Sequence, residues 1–323
     1  MSAVAPVELP VDKKTEKQLA SGLKASTIPG RTKRRLTSRG ATIAAAVIAF
    51  IWTLPTFGLF VTSFRPADQI ATTGWWTFFA NPGFTLDNYK AVLEADDGTQ
   101  TLSSSFINSI AITLPATIIP LIIATLAAYA FAWIDFRGKN WLFIGVFALQ
   151  IVPLQMALVP LLSLFSRGLV INGVQIFAGL NASQSFSQVW IAHTIFGLPL
   201  TIFLLHNFIS ELPRELIEAA RVDGAGHGQT FFRIVLPLAM PSIASIAIFQ
   251  FLWVWNDLLV ALIFADGGVA PITKTLAGLT GKYGEAWYLL TAGAFISMLV
   301  PLIVFFALQR FFVRGLLAGS TKG

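Results

Sequence analysis

The sequence contains no cysteine, and only 12% of its 323 residues are charged. Without cysteine there are no disulfides and no thiolate metal sites, and the redox compartment leaves no trace. Histidine is almost as scarce. His193, His206 and His227 stand at no metal-ligand spacing and are read as structural. A soluble chain of this size carries roughly 25% charged residues, so the shortage of charge argues against a pair of soluble domains. A phosphate cradle is also missing. Gly138-Lys139-Asn140 and Gly281-Lys282-Tyr283 both lack the Ser or Thr and the upstream glycine that such a loop needs. The chain is therefore expected to hydrolyse no ATP. No repeat with a period of 20–50 residues is visible. The first apolar run starts at Ala41, too late for a secretory signal, which lies within the first 15–30 residues or so.

What is abundant is apolar. Hydrophobic residues make up 55% of the chain, with 28 Phe, 9 Trp and a mean hydropathy of +0.72. That is more than a soluble core can hide, and a surrounding bilayer accounts for the surplus. A bilayer core takes about 20 apolar residues of helix. Six stretches reach that length: Ala41–Phe64, Phe106–Ile134, Trp141–Phe165, Ser187–Ile209, Leu238–Phe264 and Ala286–Phe312. The expected fold is all-α, a polytopic membrane protein with six transmembrane helices. Pro55, Pro115, Pro120, Pro153, Pro160, Pro199 and Pro301 interrupt these runs. Membrane helices tolerate proline where neighbouring helices satisfy the freed carbonyls.

Residues 1–40 mix Lys, Arg, Pro, Ser and Thr without periodicity and read as a disordered basic tail. Six spans put both termini on one side. On that side fall 17 of the 22 Lys and Arg, and 5 fall on the other. This asymmetry predicts cytoplasmic termini and a cytoplasmic loop at 210–237. The pI of about 9.7 thus reflects membrane topology, and no nucleic-acid partner is expected. The implied division is a tail at 1–40, a permease domain at 41–313 and a second cytoplasmic tail at 314–323.

Within the 210–237 loop, charged residues crowd together between two long apolar stretches. Pro213 is placed to begin a helix, and Leu216, Ala219, Ala220 and Asp223 recur at helical spacing. Gly224 and Gly226 are expected to stop that helix in left-handed geometry, and Gln229 to Val235 to form a second one leading to Pro237. On composition alone this is either an ordinary solvated connection or a surface that another subunit grips.

The order of residues is more specific. Glu218-Ala219-Ala220, then Gly224, then Ile234 and Leu236-Pro237 resembles the EAA loop of ABC importer permeases. Phe84 to Tyr89, Asn108-Ser109 and Gly197-Leu198-Pro199 are similar to the same family. Trp255-Asn256-Asp257 resembles its carbohydrate branch, and the ending Phe312 to Gly323 resembles the maltose-type tail. The long basic tail departs from the family pattern. The resemblance implies a type I importer permease fold in a bacterial or archaeal plasma membrane. It also implies a second homologous permease, two ABC ATPase subunits that bind ATP and Mg, an extracytoplasmic solute-binding protein and a sugar cargo. This chain would hold no cofactor and no metal and would not be an enzyme. Coupling to the ATPase would rest on Glu218, Ala219, Ala220, Asp223, Gly224, Ala225, Leu236 and Pro237. The tail residues Arg314, Gly315, Gly319, Lys322 and Gly323 would reach the ATPases as well.

Polar groups inside spans are costly and are candidates for function. Gln150, Gln155, His193, Gln250, Asn256 and Asp257 qualify, and Asp257 is the only acid among them. One reading has Asp257 fixing helix packing. The other has Gln155, Trp253, Trp255, Asn256 and Asp257 lining a sugar pathway, with a tryptophan stacked on a sugar face. Three alternatives compete with the sugar permease. A secondary transporter commonly shows repeats and ten or more spans, neither of which is visible. A permease of the same architecture for a non-sugar solute fits the loop equally well. A receptor or scaffold leaves the Glu-Ala-Ala spacing unexplained.

Overall fold

The computed structural model describes residues 39–95, 100–180, 185–279 and 286–318, without the side chains of 310–318. The expected tail up to residue 38 and Gly319, Lys322 and Gly323 lie outside that range. The chain divides into two units at Gly58 and Leu59. The described part of the first is an apolar helix, α1 (Arg39–Ser63), whose last turns belong to the second unit.

The second unit is almost entirely helical. After α1 come α2 (Ala67–Thr72), a 3-10 turn at Trp75–Phe79 and α3 (Asp87–Glu94). The membrane-length helix α4 (Leu102–Trp133) follows, then α5 (Lys139–Ala148), a 3-10 turn at Leu149–Ile151 and α6 (Leu154–Arg167). Next are α7 (Phe186–Ser210), α8 (Arg214–Val222) and α9 (His227–Thr230), continued by a π turn at Phe231–Val235 into α10 (Leu236–Trp255). The chain closes with α11 (Leu259–Phe264), α12 (Ile272–Leu279) and α13 (Trp287–Ala318). Among the described residues, five helical runs are long and apolar enough to cross a membrane. A bent pair, Lys139–Ile151 with Leu154–Arg167, makes a sixth if counted as one span.

Three expectations change here. The third span is not one helix, because its halves meet at 104°. Pro153 has no N–H, and the residue before a proline is pushed out of helical geometry. Val152 accordingly sits at φ −70°, ψ 119°. The fifth span, expected at Leu238–Phe264, begins earlier, at His227, and stops at Trp255, so Asp257 lies in a gap between α10 and α11. The last helix runs to Ala318, which puts Arg314 and Gly315 on the helix instead of in a free tail. Finally, the helical class stands, with one short sheet that was not expected. Strands β1 (Gly168–Ile171) and β2 (Val174–Ala178) form an antiparallel hairpin. Asn172 (φ 51°) and Gly173 (φ 81°) supply the two left-handed residues of its tight turn.

Prolines also stay inside helices, and three bonds show how freed carbonyls are met at Pro115, Pro120 and Pro301. A proline frees the carbonyl four residues before it. The Trp190 indole donates to Ala111 O (3.0 Å), the carbonyl that Pro115 frees. The Gln250 amide donates to Ala116 O (3.3 Å), freed by Pro120. The Trp255 indole donates to Ser297 O (3.1 Å), freed by Pro301. The Trp133 indole donates to Ile209 O (3.1 Å) near the end of α7. Each bond also ties two helices together. Trp255 is 1% exposed, stacked on Phe251 and set edge-on to Phe106.

Trp255→Phe keeps most of the packing and orphans the Ser297 carbonyl, at a cost of about 1–2 kcal/mol. In a Pro301→Ala background the helix supplies its own N–H to that carbonyl, so the same substitution should cost less. Thermal unfolding of the four versions in detergent reads the difference, and equal costs in both backgrounds would disprove the role assigned to the indole.

Candidate functional site

The loop at 210–237 folds into a capped corner. Pro213 precedes the first turn of α8, with Glu215 near the positive end of the helix dipole. At the other end Gly224 N donates to Arg221 O (3.0 Å) and Ala225 N to Ala220 O (2.9 Å). This is the Schellman pair of bonds, in which the residue after the cap must be left-handed. Gly224 has φ +77°. The spacing from Ala220 to Gly224 is thus the spacing the cap requires. Gly226 differs from expectation, with an extended φ of −74° at the start of α9.

The side of α8 that packs inward is Ile217 and Ala220. Leu216, Ala219 and Asp223, aligned by spacing in the sequence, face outward with Glu218 and with Val222, which is 87% exposed. Three contacts hold the corner to the bundle. Arg221 donates to Trp133 O (3.3 Å), Ile217 joins the buried cluster of Leu205, Ile209 and Phe231, and the Tyr129 hydroxyl meets His227. Beyond Gly226 the chain forms no separate second helix. It runs through α9 and the π turn directly into α10, which carries Leu236 and Pro237 in its first turn.

Elsewhere in this unit a cavity of about 680 Å³ opens between the break after α5, the middle of α7 and α10. Its polar lining is Gln150, Thr201, Gln250 and Trp253, set among Phe196, Pro199, Phe249 and other apolar groups. The break at Pro153 turns Gln150 toward this space. Gly197 stands where a Cβ would come within 2.7 Å of the Gln250 amide nitrogen. Glycine at this position leaves Gln250 room to reach Ala116.

Of the residues singled out for a pathway, Trp253 alone lines the cavity. Gln155 is exposed outside it, and Trp255 is enclosed by protein, with no open ring face for a ligand. Asn256 turns back to bond Leu252 O (2.7 Å). Asp257 Oδ2 accepts from Ala261 N (3.1 Å), capping α11, and lies 3.6 Å from His193 Nε2. His193 is buried, its Nδ1 is 2.9 Å from Val189 O, and its ring meets Trp253 edge-on. Among the described residues no group of three His, Asp or Glu could hold a metal ion.

The arrangement is thus one of apolar, membrane-length helices around a partly polar cavity, with an amphipathic helix attached to them. The chain belongs to the family of binding-protein-dependent transport system inner membrane components, whose pattern matches residues 121–317. It is 54% identical to the osmoprotective compounds uptake permease protein GgtD of Synechocystis sp., covering 87% of this chain and 91% of that one. It is 38% identical to the alpha-glucoside transport system permease protein AglG of Rhizobium meliloti, over 87% and 96%. Among solved structures it is similar in fold to a chain of a bacterial ABC transporter that imports the acidic polysaccharide alginate. That likeness has a TM-score of 0.65 at 19% identity and covers 89% of this chain and all of the other.

A β-branched side chain at Gly224 meets the left-handed penalty of about 1–2 kcal/mol. In Gly224→Val the amides of residues 224 and 225 should exchange hydrogen about ten-fold faster, while those in the middle of α10 stay unchanged. Unaltered exchange at both amides would show that the cap does not depend on glycine.

Proposed function

We propose that this chain is one of two permease halves of an ATP-driven, binding-protein-dependent importer of sugars, disaccharides or oligosaccharides. The observation that carries the cargo class is the alpha-glucoside relative, 38% identical along nearly its whole length. The 54% identical relative is named for osmoprotective compounds and favours a second reading, in which the cargo is a compatible solute that need not be a sugar. In either case the partners are a second homologous permease, two ATPase subunits and an extracytoplasmic binding protein. Both termini and α8 lie on the cytoplasmic side, as the distribution of Lys and Arg supports.

In this reading the outward face of α8 (Leu216, Glu218, Ala219, Val222 and Asp223) docks on an ATPase subunit. Exposed apolar groups beside carboxylates suit a protein partner better than water alone. Ala220, Gly224 and Ala225 act indirectly, by setting the angle at which that face is presented. Leu236 and Pro237 pass the movement into α10. Closure of the ATPases shifts α8 and changes which side of the membrane the cavity opens to. Arg314, Gly315, Gly319, Lys322 and Gly323 extend the ATPase contact from the end of the chain. Trp253, Gln150 and Gln250 line this chain's half of the pathway. Indole faces stack on sugar rings, and amides exchange hydrogen bonds with hydroxyls.

Reconstitution with the ATPase and binding protein tests the reading. The assembled transporter should take up labelled α-glucosides and reject glycine betaine, and the opposite preference would replace the sugar reading with the second one. An exposed lone carboxylate adds little to its own helix. If Glu218→Ala weakens ATPase co-purification several-fold, the partner is the cause, whereas normal co-purification and uptake would leave α8 a solvated connection.

Asp257 and Trp253 should separate cleanly. Asp257→Asn keeps a cap for α11 and should support nearly normal uptake, whereas Asp257→Leu should lower the amount of assembled protein. Trp253→Ala should assemble and lose uptake at least ten-fold. Full uptake by Trp253→Ala would remove the cavity from the pathway.

A further inference from the structure

Tyr129 occupies a position that the family match does not explain. It lies one turn before the end of α4 and is 5% exposed. Its hydroxyl donates to the main-chain carbonyl of His227 (3.3 Å) and stands 3.1 Å from the Nδ1 of the same residue. One hydroxyl can serve both atoms when Nδ1 carries the proton, donating to the carbonyl and accepting from the ring. The Tyr129 ring is also edge-on to Phe231, with centroids 5.2 Å apart. The first turn after the Gly224 corner is therefore fastened to α4, and Arg221 fastens α8 to the same helix through Trp133 O. Helix α4 in turn packs along α7 through Leu121, Ala124, Ala128, Ile202 and Leu205.

Immediately beyond this attachment the helix changes its backbone bonding. The π turn at Phe231–Val235 widens it, with Leu236 N donating to Phe231 O, and Pro237 then contributes no N–H. Phe231 and Val235 are buried in one cluster with Leu205 and Ile209, and past them α10 carries Phe249, Gln250 and Trp253 into the cavity wall beside the α7 residues Phe196, Gly197 and Leu200.

We propose that Tyr129 is a positioning residue. Its contact with His227 fastens α8 and α9 to the end of α4, and α10, tied to α4 by Gln250 and packed with it through Ala239 and Ile246, moves with them. A push on α8 is then passed to the α10 wall of the cavity. Without the contact the push is absorbed at the corner. This rests on the reading that α8 docks on an ATPase subunit.

Because the chain has no cysteine, a single cysteine reports the movement without knowledge of the cargo. In the full complex, Phe249→Cys on the α10 wall is allowed to react with a water-soluble thiol reagent, with and without ATP and vanadate. With Tyr129 in place, nucleotide should change the rate. Tyr129→Phe keeps the ring and removes both hydrogen bonds, and should cut that nucleotide-dependent change about five-fold while ATP hydrolysis stays within two-fold. His227→Ala, a change at an exposed side chain that leaves the fold intact, should give a smaller loss in the same direction and add nothing to Tyr129→Phe. An undiminished response in Tyr129→Phe overturns the proposal, as does a parallel loss of hydrolysis, which would place Tyr129 in assembly. No nucleotide response even with Tyr129 present would instead refute the docking of α8.

Discussion

A carbonyl that a proline has freed inside a membrane helix must find a donor in the protein, because lipid offers none. Much of the helix packing follows from that constraint. The donors at Ala111, Ala116 and Ser297 are two indoles and one amide, each sent from another helix. An indole suits the task because its single N–H is carried on a large apolar body, so a bond is made and a gap filled together. The Gln250 amide does the same beside the cavity, and only because Gly197 leaves room for it. Prolines that would break soluble helices thereby become points of attachment between helices. At Pro153 the helix instead turns through 104°, and the cavity forms at the break.

The loop at 210–237 obeys a different constraint. Outside the apolar helices its shape is set by helix termination. Ala220 and Gly224 stand at the separation that a Schellman cap requires, and the amphipathic character of α8 follows from burying Ile217 and Ala220 alone. A nine-residue helix with so narrow a buried side leaves most of its surface free for a partner. Three of its neighbours, Trp133, Tyr129 and Ile209, belong to the ends of α4 and α7, so the loop is built onto the bundle and does not hang from it.

This difference explains what could be read in advance. Long apolar runs announce α1, α4, α7 and α13 within a few residues, since burial in lipid needs only composition. The Glu-Ala-Ala-to-glycine spacing announces the capped corner, since the cap is a local rule. Pro153 could not be told from Pro115 by sequence, because what surrounds each proline is set by the packing of other helices. Trp255 and Trp253 are two residues apart and equally apolar, yet one closes a carbonyl in the core and the other faces the cavity. Asp257 looked like a charge stranded in a helix, when it is the cap of a new one. Which side of α8 faces outward was not legible either, because spacing identifies a stripe without saying which side it lies on.

The hairpin at Gly168–Ala178 has a consequence of another kind. Leu169, Val170, Ile171, Val174, Ile176 and Phe177 are all exposed, and the amide of Gln175 bends back to the carbonyls of Arg167 and Phe177. Each strand pairs on one side only, so both outer edges keep main-chain donors and acceptors that another strand could use. Short, uncharged, β-branched segments with open edges are the ones that add to copies of themselves. The hairpin therefore offers an open template for strand addition. A single lysine in either strand is the kind of change that natural sheets use to prevent it.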